Sequence, residues 1–316
     1  MNGIKICGTG LALPSRILTN EDLTHMVDTT DEWIVSRTGI RTRHILAPGE
    51  SLAAITAQAA RQALQNGGIS PDQIGACIVA SCTAENAVPS AACCLQRDLG
   101  LPRDIPCFDL NAACTGFVFA LHTMECLLQG SSRKYGLVIG AENFSRVMDW
   151  SDRSTCILFG DGAGAALVES RPEYSSVHAV LGSSGNEEIL RLSGVSFSAN
   201  SSFSMEGQKV FKFAVKAIPY CMDEVLKKAG CRPEDVDYFV FHQANARIID
   251  LVAKKHHIPQ EKYYSNIEHY GNTSAASIPI CLAELAQQGK LPSGSKALLV
   301  GFGGGLTWGG ALVEFA

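Results

Sequence analysis

The sequence predicts an α/β fold made of two similar halves, residues 1–170 and 171–316. A repeat is the first observation: ALQNGGISPDQIGACIVAS, which begins at Ala63, returns in outline as VLKKAGCRPEDVDYFVFHQ, which begins at Val225. Two further pairs follow in the same order, YGLVIG with KALLVG and GAALVE with GALVEF. Apolar strands also alternate with helices in each half, and this alternation is typical of largely parallel sheets covered by helices on both faces.

The repeated stretches can be interpreted element by element. Each begins with the end of a helix, which a glycine stops at Gly68 or Gly230. A proline then starts a short turn, at Pro71 or Pro233, and an apolar strand follows. We therefore expect two related halves that pack face to face and share helices between them.

The stretch from Ser183 to Ser204 is the least periodic part of the chain. It reads SSGNEEILRLSGVSFSANSSFS, with serine at eight positions and no strand or helix period. Long irregular segments are often lids or binding loops. A surface loop or lid and an idle insertion are equally supported by the sequence.

The composition argues against several classes of protein. A hydrophobic content of 46% and a charged content of 18% indicate a globular chain, and the net charge of -5 disfavours a nucleic-acid partner. The start, MNGIKICGTG, lacks the basic and apolar regions of a signal peptide, and no run of about 18 apolar residues follows. These features predict a cytoplasmic protein without a membrane segment.

Most of the twelve cysteines lie inside apolar strand or helix patterns. In a reducing compartment such thiols pack as small hydrophobic groups. No Cys-x-x-Cys pair or Cys/His group has zinc-ligand spacing, so we predict no metal site.

Cys114 differs from the other cysteines in its position. It follows the strand CFDL and the small-residue corner NAA, and it opens the apolar helix TGFVFALHTMECLL. Unpaired backbone amides and the positive end of a helix dipole favour a thiolate there. Taken alone, a nucleophile and a buried structural cysteine are about equally supported.

Two polar residues at other strand ends strengthen the nucleophile interpretation. His242 closes the strand VDYFVF, and Asn272 opens a second strand-to-helix corner, HYGNTSAASIP. By the internal repeat, the corner at Asn272 lies close to the position that Cys114 occupies in the first half. Halves packed face to face would bring these residues together.

Four segments carry a family resemblance. NAACTGF, FHQANARI, HYGNTSAAS and GFGGGLTWG resemble, in the same order, the signature segments of the beta-ketoacyl-acyl-carrier-protein synthase III family. The resemblance extends from about Met1 to Ala316. It implies a thiolase-like fold, in which the duplicated halves form an α-β-α-β-α sandwich. The first half would carry the nucleophilic cysteine, and the second half the catalytic histidine and asparagine.

The resemblance also implies a two-stage reaction without a cofactor. Cys114 would take the acyl group from a short acyl-CoA, with acetyl-CoA as the expected starter, while the backbone amides of Cys114 and Gly304 hold the oxyanion. Malonyl-carrier protein would then lose carbon dioxide, and His242 and Asn272 would hold the enolate oxygen. The product, a 3-oxoacyl-carrier protein, initiates fatty-acid synthesis. The family resemblance further implies a homodimer.

Residues for binding CoA follow from the same resemblance. Trp33, Arg37 and Arg153 would flank the adenine ring, and Arg247 would lie at the mouth of the tunnel. For each arginine taken singly, an ordinary surface charge is the favoured interpretation. The set of four favours a CoA site.

Basic residues near this mouth suit an acidic carrier protein. Lys212 lies on one predicted helix, and Arg247, Lys254 and Lys255 lie on another. Complementary charge would steer the encounter with an acyl carrier protein. We therefore expect these four residues to contact the carrier.

Two other functions remain open. A Cys-His thioesterase would use the same nucleophile and release a free acid. A starter condensing enzyme of a polyketide or other secondary pathway would share every motif. Val88 stands where the family often has a bulkier residue that borders the partner's acyl pocket, which suggests that longer or branched starters are admitted.

Overall fold

The computed structural model describes residues 2–193 and 203–316. The strands are β1 Gly3–Ala12, β2 Arg16–Thr19, β3 Thr42–Ile45, β4 Ile74–Ala80, β5 Cys107–Leu110, β6 Tyr135–Glu142, β7 Gly162–Arg171, β8 Val180–Ser183, β9 Leu190–Leu192, β10 Phe203–Met205, β11 Tyr238–Phe241, β12 Lys296–Gly303 and β13 Thr307–Phe315. The α-helices are α1 Asn20–Thr24, α2 Asp31–Thr38, α3 Leu52–Gly67, α4 Ala91–Leu99, α5 Gly116–Leu128, α6 Arg153–Cys156, α7 Gly207–Ala229, α8 Ala246–Lys255, α9 Ile267–Tyr270 and α10 Ser277–Gln287.

Two groups of strands join into one nine-stranded sheet. One group has the order β5-β4-β6-β7-β1, and the other has the order β11-β12-β13-β8. The groups meet where the start of β1 runs parallel to the end of β13, with Lys5 opposite Glu314 and Ile6 opposite Phe315. Strand β8 pairs with β13 antiparallel, as β1 pairs with β7. The two groups therefore repeat the same strand order.

The prediction of largely parallel sheets is wrong. Strand β7 is antiparallel to both β6 and β1, and β13 is antiparallel to both β12 and β8. Only three residues separate β12 from β13. A connection that short forms a hairpin, which is antiparallel, whereas parallel strands need a crossover of a dozen residues or more.

Helices and sheets form the five predicted layers. Helices α3 and α4 pack on one face of the first strand group, and α7 and α8 pack on the outer face of the second. Helices α5 and α10 lie between the two groups and contact both. The middle helices are apolar on nearly all sides because both of their faces are buried. The α-β-α-β-α arrangement is confirmed.

The predicted helix ends are also present. Helix α3 is capped by Gly68 and α7 by Gly230, both in the left-handed conformation, with φ of 66° and 63°. Both are followed by a short 3₁₀ turn that starts at the predicted proline. Within residues 2–193 and 203–316, none of the helices combines the length and apolar character needed to cross a membrane.

The Ser-rich stretch is not wholly irregular. Strand β8 ends at Ser183, and β9 and β10 pair antiparallel across the stretch, with Phe203 opposite Leu192. The prediction of a loop for residues 194–202 lies outside the described residues. The flanks of the stretch border the cavity described below.

Candidate active site

Cys114 lies at the corner between β5 and α5. It is the middle residue of a 3₁₀ turn, Ala113–Thr115, that leads directly into α5, and its side chain is buried. His242 follows β11 immediately, and Asn272 lies just before the 3₁₀ turn Ser274–Ala276 that leads into α10. All three residues therefore occupy ends of secondary-structure elements next to the middle helix layer.

The two corners match each other more closely than the sequence indicated. The Asn111 side chain accepts a hydrogen bond from the Ala113 amide at 3.1 Å, and the Asn272 side chain accepts one from the Ser274 amide at 2.8 Å. Ala113 and Ser274 both have a positive φ, 47° and 49°. The repeat counterpart of Asn272 is therefore Asn111, three residues before the nucleophile.

One cavity brings the three candidate residues together. Cys114, His242 and Asn272 all line a cavity of about 580 Å³. Its wall also contains four of the residues expected to bind CoA or the carrier: Trp33, Arg37, Lys212 and Arg247. A second cavity meets the first at Cys114 and is lined by Cys82, Ser274 and Gly304, among others.

Burial governs the thiol of Cys114. It raises the pKa of the thiol to about 12, the contact with the Ser274 hydroxyl, whose Oγ lies 3.3 Å from Sγ, opposes this rise, and the nearby Glu142 carboxyl acts in the same direction as burial. This direction is opposite to the thiolate that the sequence favours, and burial is its largest cause. A thiol with a raised pKa needs a proton acceptor before it can attack as a nucleophile.

His242 is held in one orientation and kept neutral. Burial lowers the pKa of its imidazole to about 3. Its Nδ1 lies 2.8 Å from the Ser277 hydroxyl, which also lies 3.4 Å from the Gln243 amide. If the hydroxyl accepts from that amide and donates to Nδ1, then Nε2 carries the imidazole proton and is a hydrogen-bond donor.

The turn between β12 and β13 closes over the nucleophile. A Cβ on Gly303 would lie 2.9 Å from both the backbone nitrogen and the Cβ of Cys114, so only glycine allows this approach. Gly304 lines the second cavity together with Cys114. A Cβ placed on Gly304 would lie 3.6 Å from the Cβ of Ala113. The Gly-rich segment thus brings its backbone close to the corner that holds Cys114.

Both arginines expected near adenine contact the same aromatic ring. The guanidinium carbons of Arg37 and Arg153 lie 4.8 Å and 4.7 Å from the centre of the Trp33 ring. The Asn245 side chain donates a hydrogen bond to the Arg37 carbonyl at 3.0 Å, which ties α2 to the start of α8. Trp33, Arg37 and Arg153 therefore form one cluster beside the cavity.

The basic residues divide between the cavity and the surface. Lys212 and Arg247 are exposed and line the cavity, whereas Lys254 and Lys255 are exposed in the last turn of α8. Arg247 and Lys254 are seven residues apart, so they share one face of α8. Leu251, which is 44% exposed, lies between them on that face.

Sequence reasoning missed three polar residues of this site. Ser274 and Ser277 lie within the segment HYGNTSAAS, but only its asparagine was singled out. Glu142 ends the apolar strand YGLVIGAE and is completely buried. A charge at the end of a buried strand was the signal that could have identified it.

Among the residues that the structure describes, no group of three or more histidine, cysteine, aspartate or glutamate side chains is placed to hold a metal ion. The chemistry of the cavity is that of a thiol, an imidazole, a carboxamide and backbone amides. This set suits acyl transfer through a thioester.

The chain matches two family models. Residues 108–185 match 3-oxoacyl-[acyl-carrier-protein (ACP)] synthase III, and residues 226–315 match the C-terminal model of the same family. The curated beta-ketoacyl-[acyl-carrier-protein] synthase III of Clostridium acetobutylicum is 43% identical, with 100% of this chain and 99% of that protein covered. Its counterpart from Aquifex aeolicus is 44% identical, with 99% of this chain and 100% of that protein covered.

Solved structures agree with these matches. The crystal structure of 3-oxoacyl-[acyl-carrier-protein] synthase III from Aquifex aeolicus has a TM-score of 0.92 and 43% identity, with 99% of this chain and 100% of that chain covered. The priming beta-ketosynthase of the R1128 polyketide pathway also has a TM-score of 0.92, at 33% identity, with 99% and 97% covered. The chain belongs to the beta-ketoacyl-[acyl-carrier-protein] synthase III family and is a condensing acyltransferase with the thiolase-like fold.

Proposed function

We propose that this enzyme joins a short acyl group from acyl-CoA to malonyl-carrier protein and so makes the first 3-oxoacyl-carrier protein of fatty-acid synthesis. The observation that carries the proposal is the shared cavity of Cys114, His242 and Asn272. CoA enters as a thioester substrate, and the reaction uses no resident cofactor. Residues 1–170 supply the nucleophile, and residues 171–316 supply the imidazole and the carboxamide.

In the loading stage, the sulfur of Cys114 attacks the thioester carbonyl and CoA leaves. The developing oxyanion requires fixed donors, and each such donor contributes on the order of 3 kcal/mol to lowering the barrier. We assign these donors to the backbone amides of Cys114 and Gly304. The close approach of the Gly303 turn to Cys114 supports this assignment.

In the condensation stage, malonyl-carrier protein loses carbon dioxide and its enolate attacks the acyl-enzyme. The enolate oxygen needs neutral donors that do not lose or gain a proton near pH 7. Nε2 of His242 meets this requirement, because the pKa of its buried imidazole is lowered to about 3. The Oδ1 atom of Asn272 already accepts the Ser274 amide, so its Nδ2 group is the second donor.

The cluster of Trp33, Arg37 and Arg153 binds the adenine and phosphate groups of CoA. The flat Trp33 ring suits stacking on the adenine ring, and the guanidinium groups of Arg37 and Arg153 suit the phosphates. Arg247 lies on the same cavity wall at the start of α8 and guides the pantetheine arm. CoA and the carrier's arm therefore use the same route to Cys114.

The exposed face of α8 and the start of α7 bind the carrier protein. Arg247, Lys254 and Lys255 on α8 and Lys212 on α7 supply positive charge, and Leu251 supplies an apolar centre. Acyl carrier proteins are acidic, so this surface steers the encounter. The enzyme works as a homodimer in the cytoplasm, without nucleic-acid or membrane partners.

A second candidate is priming of a polyketide or related secondary pathway. The R1128 priming ketosynthase matches this chain at 33% identity over nearly its full length, which favours this candidate over a hydrolase. Both candidates load Cys114 in the same way. They differ in the starter and in the acceptor protein.

Intact-mass analysis tests the proposal. Acetyl-CoA alone should add one acetyl group to the protein, and a Cys114→Ser variant should gain none. Malonyl-carrier protein should then remove the acetyl group with release of carbon dioxide and formation of acetoacetyl-carrier protein. Release of free acetate without carbon dioxide would instead identify a thioesterase.

A further inference from the structure

Glu142 is a buried acid without a positive partner among the described residues. Its side chain is 0% exposed, and the ion pairs found within residues 2–193 and 203–316 do not include it. Among the described residues its oxygens contact the Ser81 hydroxyl at 3.3 Å, the amide and thiol of Cys82 at 3.2 Å and 3.4 Å, the Thr83 hydroxyl, and the Ser274 hydroxyl at 3.1 Å, and none of these groups is a cation. A buried carboxylate without a cation is costly, so this environment calls for an explanation.

The Ser274 hydroxyl connects this acid to the nucleophile. Its Oγ lies 3.1 Å from Oε1 of Glu142 and 3.3 Å from Sγ of Cys114. A hydroxyl has one proton to donate and lone pairs to accept, so it can take a proton from the thiol while giving its own to the carboxylate. Ser274 holds a φ of 49°, which is strained for a residue with a side chain and is typical of functional positions.

We propose that Glu142 receives the proton of the Cys114 thiol through the Ser274 hydroxyl during acyl loading, and returns it when condensation frees the thiolate. The proposal rests on the proposed function, since it concerns the same nucleophile. Glu142 acts only through Ser274 and does not touch the substrate. It is a positioning residue that stores a proton.

The protons and bonds of both stages balance. In loading, the bond between the Cys114 sulfur and the acyl carbon forms, and the sulfur–carbon bond of the CoA thioester breaks. At the same time the thiol proton moves to Ser274, and the Ser274 proton moves to Glu142. The released CoA thiolate takes one proton from water. In condensation, carbon dioxide leaves, the new carbon–carbon bond forms, and the Cys114 sulfur–carbon bond breaks. The thiolate then recovers its proton from Glu142, so each cycle consumes one proton from solution, during loading.

The surroundings of these groups favour storage. Burial raises the pKa of Glu142 and so reduces the difference between this pKa and that of the Cys114 thiol. Ser274 is also 0% exposed, and its hydroxyl contacts both Glu142 and the Cys114 sulfur, so the proton passes between groups that are buried. Within residues 2–193 and 203–316, the titratable side chain in hydrogen-bond contact with Glu142 is that of Cys82, and burial raises the pKa of its thiol well above the usual value, so it keeps its own proton. His242 is neutral at rest and is reserved for the enolate.

Proton uptake during loading tests the proposal. The enzyme is mixed with acetyl-CoA in weak buffer near pH 7.5, a pH-indicator dye records proton uptake, and intact mass records the acetyl group on Cys114. The proposal expects one proton taken up per acetyl group loaded and none during the later condensation, once the proton that carbon dioxide releases on hydration to bicarbonate is subtracted. Acetylation without proton uptake would overturn the relay and leave the proposed function intact, whereas the absence of acetylation would refute both.

Variants separate the relay from a structural role. Glu142→Gln keeps the shape of the side chain but cannot take the proton, so proton uptake should move from loading to condensation, and loading should slow at least tenfold near pH 7. Ser274→Ala should give the same shift of uptake by breaking the path at its middle. Ser81→Ala removes another hydroxyl from Glu142 outside the path and should keep uptake in the loading stage. Retention of loading-stage uptake in both Glu142→Gln and Ser274→Ala would contradict the proposal.

Discussion

At the scale of single residues, the properties of the site depend on side chains that are buried away from water. Cys114 and His242 are both buried, and burial shifts each toward its neutral form: the pKa of the thiol rises to about 12 and the pKa of the imidazole falls to about 3. Neutral groups suit an enzyme that must hold an enolate without protonating it. The consequence is that proton transfers must follow defined hydrogen bonds.

Asn272 gives a prediction that separates the two stages. Asn272→Ala should slow condensation by about 10²–10³-fold, because one fixed donor to the enolate is lost, and should change loading little. Asn272→Asp keeps an oxygen for the Ser274 amide but removes the Nδ2 donor, so it should impair condensation in the same way. Single-turnover rates for each stage measure both effects, and equal loss of loading and condensation in the two variants would contradict this division.

His242 gives a prediction for stability at low pH. In the unfolded chain the imidazole has a pKa near 6.5, so it binds a proton below pH 6.5. In the folded protein its pKa is about 3, so it binds a proton only below about pH 3. Stability therefore falls as the pH is lowered from about 6.5 to about 3. At pH 4 the cost from this group is about 3 kcal/mol. In His242→Gln the free energy of unfolding should therefore fall less between pH 7 and pH 4. Urea titrations at both pH values measure the difference, and identical falls would show that the imidazole charges without cost.

At the scale of elements, the hairpin of β12 and β13 positions the nucleophile's corner. Gly303→Ala would place a methyl group 2.9 Å from the Cys114 backbone nitrogen, so the turn must shift. We expect a loss of about 1–3 kcal/mol of stability and slower loading, since the amide assigned to the oxyanion moves with the turn. Gly130→Ala is a matched control, because a Cβ there meets nothing within 4 Å. Thermal unfolding and intact-mass loading rates check both variants, and normal loading by a folded Gly303→Ala enzyme would count against the proposed oxyanion site.

The positions of Cys114, His242 and Asn272 were predictable because each lies at the end of an element that the apolar pattern defines. A strand end followed by small or polar residues is a local signal. The strand directions were missed because the pattern within one strand does not record its neighbour's direction. Glu142 was missed because its link to Ser274 joins positions 132 residues apart, which spacing alone does not reveal.

The charges on α7 and α8 give a prediction about the carrier. Lys212→Glu and Lys254→Glu should each raise the apparent KM for malonyl-carrier protein and leave acetyl-CoA loading nearly unchanged, because complementary charge acts mainly on the encounter. Lys290→Glu, at an exposed position after α10, serves as a charge-matched control. Steady-state kinetics at low salt measure the effect, and unchanged carrier kinetics in both variants would remove this surface from the proposal.

At the scale of the whole molecule, duplication is what assembles the site. Helices α5 and α10 both contribute to the core of the middle layer, and each begins at one of the two matched corners, whose 3₁₀ turns contact each other. The corner of the first half carries the sulfur, and that of the second half carries the carboxamide and the Ser274 hydroxyl. Neither half contains the full set, so the packing of the two halves determines whether the enzyme has an active site.

In the proposed homodimer, a residue of one copy would also shape the acyl pocket of the other copy. Val88 is 87% exposed, which is unusual for a large apolar side chain, and the family resemblance implies that this position would border the acyl pocket of the partner in the proposed homodimer. Valine leaves more room there than a bulkier residue, so the enzyme should load isobutyryl-CoA and octanoyl-CoA as well as acetyl-CoA. Val88→Phe should reduce loading of the two larger starters and spare acetyl-CoA, whereas Ile17→Phe, at another exposed apolar position, should change none of them. Intact-mass loading rates for the three thioesters measure this, and strict acetyl preference in the unaltered enzyme would show that Val88 does not set the size of the pocket.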